Sequence, residues 1–453
     1  MAGLSSAHRI ALTALLARCP DVALRAVSVA VASTAGSRAA EMRALVGEEI
    51  RNRERCEKAL KPLVPMFRAR ADGIVATTFP SHILPRLWRA ASARAPDLLR
   101  HLDGDEPASR SAADRLCQAA ASAIRDQPEL IWPPGGDEVA RQKGLEDLTA
   151  CLDLAHLARR GLPSLEIWLR RPDGDQIAEL RLLFKDCAGA RIDGAPRVLE
   201  MLFAHLPDAV LILRIVTLTS LVAGRDGFLS ESEMSGFVDR LIGGVDLRAG
   251  RIKAFKPGSD LARVDSVIAD FNWCAGVLGE LDVTLSFDPR SAWGKSVRDA
   301  RATIAGRMSS LLREADKAVT RALPMERVQF GGRMAREMPR LSAPVEGPAV
   351  EAALSLLSLV GSACGPASVF GCEGDRKTLV VALGDRLLDY ADQALRMIHE
   401  GPVEDETHAF GLIELAALCL DRIEAEEAAH TVRRRAAVAR VPVKEPGASS
   451  QAA

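Results

Sequence analysis

Apolar residues recur at steps of three and four along almost the whole chain, and that pitch predicts an all-α fold. Over residues 37–60, Met42, Leu45, Val46, Ile50, Cys56 and Leu60 fall near one face. On other faces, Glu49/Arg53 and Glu54/Lys58 are (i, i+4) pairs of the favourable order. Over 378–399, Val380, Leu383, Leu387, Ala391, Ala394 and Ile398 form one unbroken stripe opposite Asp385, Arg386, Asp389, Asp392 and Arg396. Such a helix docks one stripe on a core and turns the rest to water. The same reasoning predicts helices near 5–18, 21–34, 80–94, 108–125, 138–160, 174–186, 195–205, 208–223, 231–243, 260–280, 295–322, 347–362 and 406–437.

Strand signals are few. Leu281 to Phe287 (Leu-Asp-Val-Thr-Leu-Ser-Phe) alternates best and Gly73 to Phe79 less well, so at most a minor β element is expected, near 281–287. Three short runs, Cys19-Pro20-Asp21, Ala95-Pro96-Asp97 and Leu206-Pro207-Asp208, end one helix and begin another. Proline fits a first helical turn, and aspartate favours its positive end. Gln127 to Asp137, Val245 to Ser259 and Leu323 to Pro348 are rich in helix breakers and read as linkers. They suggest two or three packed helical subdomains, at about 1–130, 137–322 and 346–440, and a disordered tail over 441–453.

Two apolar stretches raise the question of a membrane. Ala209 to Gly224 is interrupted by Arg214, and Ala352 to Cys372 holds Pro366 and several Gly and Ser. Neither approaches the roughly 20 greasy residues of a spanning helix, so both are expected as core helices. His8-Arg9 followed by Ile10 to Ala17 mimics a short signal sequence, but Arg18 stands where a small residue belongs before Cys19.

Composition agrees with a folded chain. Of 453 residues, 48% are hydrophobic and only 4% aromatic, which disfavours an all-β sandwich. The 59 basic and 60 acidic residues leave a net charge of −1, so the basic excess of a nucleic-acid binder is absent overall. Arginine far outnumbers lysine among the 59, and with abundant Ala and Gly this reads as GC-rich bacterial coding. The nine cysteines are dispersed without any C-x-x-C, as buried free thiols are in a reducing cytoplasm.

Candidate chemistry is sparse. Residues 221–233 (Leu-Val-Ala-Gly-Arg-Asp-Gly-Phe-Leu-Ser-Glu-Ser-Glu) match the second half of an EF-hand loop. Asp226 and Glu233 stand at the fifth and twelfth places, but Val222 and Gly224 occupy the first and third, where calcium needs oxygens. The plain alternative is a helix–turn–helix with Asp226-Gly227 in the turn and Ser230 and Glu233 as a capping box. This stretch resembles the turn of tellurite-resistance helical modules. The likeness is short, rests on Asp226, Gly227, Ser230 and Glu233, and implies no function here.

Gly294-Lys295-Ser296 and Gly371 with Lys377-Thr378 each miss a glycine of the phosphate loop. Glu427 with His430, and Asp153 with His156, place a carboxylate and an imidazole on one helix face, short of a di-iron set. His408 beside Glu404, Asp405 and Glu406 reads as an acidic helix start. Arg433 to Arg435, Arg440 and Lys444 against Glu445 make the C-terminus basic. Ample helical surface without a catalytic constellation leads to the expectation of a non-catalytic protein-interaction or regulatory protein of the bacterial cytoplasm, with a protein partner and no cofactor. The alternatives are an enzyme whose site is assembled from distant residues, and a weak nucleic-acid or membrane-surface binder using the basic tail.

Overall fold

The computed structural model describes residues 4–219, 234–258, 261–330, 334–400 and 403–440. The fold is all-α and multi-helical, 77% helix with one two-stranded antiparallel sheet among the described residues. The chain divides into two compact units, Met1–Ala223 and Gly224–Ala453, with the division inside the block expected at 137–322.

In the first unit the helices are α1 Ser6–Leu16, α2 Asp21–Ala32, α3 Ser37–Ala59, α4 Leu84–Arg94, α5 Leu98–His101, α6 Glu106–Asp126 and α7 Pro128–Ile131. They continue with α8 Glu138–Asp153, α9 Ala155–Gly161, α10 Leu165–Leu169, α11 Gly174–Ala190, α12 Gly194–Ala204 and α13 Ile212–Thr219. Helix α6 is the hub, in contact with α3, α4, α5, α7, α8 and α9. Its buried stripe is made largely of small residues (Ala112, Ala113, Cys117, Ala120, Ala121 and Ala123, with Leu116 and Ile124), which lets neighbouring helices come close. The helix expected over 138–160 breaks at Leu154 into α8 and α9.

The second unit comprises α14 Ser235–Ala254, α15 Leu261–Thr284, α16 Ala292–Ala322, β1 Met325–Phe330, β2 Met334–Pro339, α17 Pro348–Ser362, α18 Cys364–Val369, α19 Glu373–Glu400, α20 Glu406–Arg422 and α21 Glu426–Ala439. Helix α16, 31 residues long, packs on α14, α15, α17 and α19. Its buried residues Val297, Ala300, Ile304, Met308, Leu311, Ala315, Ala318 and Ala322 keep the three–four rhythm throughout. Gly361 near the end of α17 lies against the Arg422 carbonyl at the end of α20, closer than a Cβ would tolerate.

The structure corrects several expectations. At 281–287 the β element is reduced to a single bridge residue, Ser286: Leu281 to Thr284 complete α15, and the Leu285 N–H bonds to the Leu281 carbonyl at 2.9 Å. The sheet lies instead at 325–339, inside an expected linker, with Arg327 opposite Glu337 and Val328 opposite Arg336. Residues 245–254 also form helix, because Val245, Ala249 and Ile252 continue the buried face of α14 past its glycines. Gly73 to Phe79 is an irregular loop.

Helix starts follow the expected chemistry. Asp173 and Gln176 form a complete capping box at α11, and Ser291, Asp137 and Asp405 cap α16, α8 and α20. Helix ends show a second device, since arginine side chains donate to carbonyls that the helices leave open. Arg43 reaches the carbonyls of Val31, Ala32 and Thr34 at 3.0–3.4 Å. Arg53 reaches Leu16 and Cys19, both at 2.9 Å. Arg159 reaches Lys58 and Ala59 at 3.0 and 2.6 Å. Arg70 and Arg307 do the same at Phe203 and Phe255, both at 2.6 Å. Among the described residues, no helix is long and apolar enough to cross a membrane.

Candidate functional site

Among the described residues, those singled out by their spacing do not converge on a site. Asp226 and Glu233 lie outside the described residues. Glu427 and His430 are both exposed on α21. Asp153 pairs with Arg125, and the His156 ring lies 3.1 Å from the Asp153 carbonyl. Among the described residues, no three His, Cys, Asp or Glu side chains are grouped to hold a metal ion.

The two phosphate-loop near-misses are committed to the fold. Ser291 Oγ accepts the Gly294 N–H at 2.9 Å, and Ser296 Oγ donates to Asp246 at 2.9 Å. Gly294 also lies too close to the Asp288 carbonyl for a side chain, so its backbone faces protein and not an anion. Lys377 pairs with Glu373 at 3.3 Å, and Thr378 donates to the Gly374 carbonyl at 2.9 Å.

The basic C-terminal segment is largely matched from within. Arg433 bonds to Asp421 and Glu414 at 2.6 and 2.8 Å, which raise its pKa and outweigh the opposing effect of burial. Arg435 bonds to Asp392 at 2.6 Å, and Arg440 lies over the Phe410 ring at 4.6 Å. His408 Nε2 lies 2.7 Å from the Ala343 carbonyl, and the His408 N–H donates to the capping carboxylate of Asp405 at 2.9 Å.

Buried charge elsewhere is also structural. Asp72 accepts from Arg70 at 2.5 Å and from the N–H groups of Ile74 and Ala209, both at 3.1 Å. Burial alone would raise its pKa, but these bonds and the Arg70 charge outweigh burial and hold the carboxyl below its usual range. In the second unit, Arg248 lies 3.7 Å over the Trp273 ring and Arg251 holds Asp270 at 2.8 and 2.5 Å. Burial pushes the thiols of Cys56, Cys117, Cys151, Cys187, Cys274 and Cys419 up to about 12, so all six are unreactive near neutrality.

The feature left over is the N-terminal layer of α1 and α2 on the first half of α3. Each of its two helices buries a single side chain, Leu16 in α1 and Leu24 in α2. These meet Val46, with Val27, Met42, Leu45 and Ile50 packed around them. Four other apolar residues of these helices face outward: Ile10 is 71% exposed, Leu15 64%, Val22 82% and Val29 74%. Leu4, His8, Ala11, Leu12 and Leu15 together with Arg38 line an open groove of about 400 Å³. No family model, curated protein or solved structure matches this chain. The layer therefore has to be judged on its own geometry.

This surface does not show in the three–four spacing of the sequence. The signal was present, since Ile10, Leu12, Leu15 and Leu16 surround α1 instead of forming one stripe. An all-round apolar helix calls for cover on more than one side.

Proposed function

We propose that the chain is a non-catalytic protein-interaction protein of the bacterial cytoplasm, and that the N-terminal layer is its docking surface. One observation carries this reading: Leu15 of α1, 64% exposed, lines an open groove with Leu4, Ala11 and Leu12, in a layer where Ile10, Val22 and Val29 also stand in water. Exposed apolar surface grouped in this way marks sites of association. Leucine side chains in an open groove suit a partner helix whose own apolar stripe inserts there. The cytoplasmic assignment rests on nine free cysteines, of which only Cys364 is fully exposed. The bacterial one rests on the Arg, Ala and Gly bias of the sequence.

Site-specific photo-crosslinking tests the reading. A benzoylphenylalanine at Leu15 is expected to give a discrete adduct in cells, whereas the same group at Val283, an 84% exposed position of the second unit, gives none. Adducts at neither position, or equally at both, would remove the docking surface.

A further inference from the structure

The β1–β2 hairpin of the second unit carries an open edge. The Arg340 N–H donates to the Pro324 carbonyl at 3.0 Å, which makes those two residues a hydrogen-bonded pair of the ladder. In the register that runs from Met325 opposite Pro339 to Phe330 opposite Met334, such pairs alternate. Glu326, Val328 and Phe330 therefore turn their N–H and C=O groups toward β2, and Met325, Arg327 and Gln329 turn theirs outward. Among the described residues the sheet has no third strand, and these outward groups bond to nothing. We infer that the outer edge of β1 takes an extended segment of a partner protein that carries adjacent acidic and basic residues.

The backbone sets the shape of the occupant. A row of outward N–H and C=O groups matches an extended chain, whereas a helix arrives with its own groups already paired. The six residues of β1 include no proline or glycine, and the register holds no bulge. Glu326, Arg327 and Gln329 are exposed, and Met325 is 37% exposed. The other strand is the poorer edge, since β2 packs against α19 and Pro339 lacks an N–H.

Charge narrows the choice further. Glu326 and Arg327 stand on opposite faces of the strand. Arg327 is opposite Glu337 in the ladder, yet neither Glu326 nor Arg327 makes an ion pair or side-chain hydrogen bond among the described residues. An incoming strand sets one residue beside each of them. Unlike charges directly opposite one another stabilise a ladder, and like charges oppose it. The complement is an acid beside Arg327 and a base beside Glu326.

A second copy of this chain fits less well. Two-fold pairing through the same edge has to match outward residues with outward residues. With all three matched, Arg327 falls opposite Arg327 of the other copy. Centred one residue earlier, the pairing sets Glu326 against its counterpart. Centred one residue later, it uses only Arg327 and Gln329.

The experiment uses the full chain, isotope-labelled for amide spectroscopy, and blocked threonine-rich peptides of about seven residues. These differ only at two central positions: Glu-Lys, Lys-Glu, Gln-Gln or Lys-Lys. Amide resonances are expected to move most at Met325, Arg327 and Gln329 and least at Glu326 and Val328, whose N–H groups already bond to β2. One mixed-charge order, set by strand direction, should bind about fivefold more tightly than Gln-Gln, and Lys-Lys no better than Gln-Gln. Glu326→Gln combined with Arg327→Gln should abolish that preference and leave Gln-Gln binding unchanged. Both side chains are exposed, so the hairpin stays folded, which an unmoved Arg340 amide resonance would verify. Movement at none of the three outward amides, equal movement at the inward ones, or equal binding of all the peptides overturns the inference. So does movement of the same amides with protein concentration alone, the mark of a second copy.

Discussion

Leu15 and Leu16 are adjacent in the chain, yet truncating each to alanine should give very different results. Leu16 is 3% exposed and packs with Leu24 and Val46. Leu15 is 64% exposed. Fully burying a leucine is worth about 1.5–3 kcal/mol, so the third of Leu15 that is covered contributes less than about 1 kcal/mol. Leucine to alanine in a core costs about 2–5 kcal/mol. The small size of the Leu16 cluster puts it near the lower end, at about 2 kcal/mol. Apart from that cluster, α1 and α2 are held mainly by Arg43, Arg53 and the Glu41 bonds, so the layer can open without unfolding the rest of its unit. The appropriate assay is therefore hydrogen exchange resolved to residues 7–31, not a global melt. Leu16→Ala should speed exchange there about 30-fold at 1.4 kcal/mol per tenfold, and Leu15→Ala less than about fivefold. Equal acceleration by both changes would show that the outer face of α1 is packed, and the exposed-surface argument would fall.

Other tests probe the framework. Gly361→Ala brings a Cβ against the Arg422 carbonyl and should destabilise by about 1–3 kcal/mol, whereas Gly306→Ala, mid-helix in α16 with open space around it, should stabilise by about 0.5–1 kcal/mol; denaturant titration reads both signs. Asp72→Asn should lose about 1.5–3 kcal/mol at pH 7. Because the folded pKa of Asp72 lies below the unfolded one, its contribution is complete above about pH 4 and fades as pH falls through the folded value, so wild type and variant should converge in acid unfolding curves. With a thiol-specific disulfide reagent, Cys364 should react first and Cys19 more slowly, while the seven buried cysteines wait for denaturant.

Helices that bury one stripe were the most legible part of the sequence: α3 and α19 appear within a few residues of their expected bounds. Residues 281–287 misled for a definable reason. Leu281 and Leu285 are four apart, a spacing that satisfies both a strand face and a helix face. The deciding residue is Val283 between them, which a strand would bury beside the two leucines and which is 84% exposed. The β1–β2 hairpin was hidden because Met-Glu-Arg-Val-Gln-Phe alternates only at Val328 and Phe330, and Met-Ala-Arg-Glu-Met-Pro does not alternate. Gly331-Gly332 between them was the available signal. Residues 245–254 looked like part of a linker because Gly250, Lys253, Lys256 and Gly258 punctuate 245–259, and packing of Val245, Ala249 and Ile252 overrides that. The groove was not legible for a deeper reason. Periodicity reports which residues avoid water, and Ile10 and Leu15 are in water because nothing among the described residues of their unit covers them.

The choice of guanidinium for tying off helix ends limits how these seams can be rewritten. Its N–H donors lie in one rigid plane, so Arg43 closes three carbonyls and Arg53 and Arg159 two each. A lysine at the same positions would keep the charge but bring a compact ammonium on a flexible stem, leaving part of each helix tip untied.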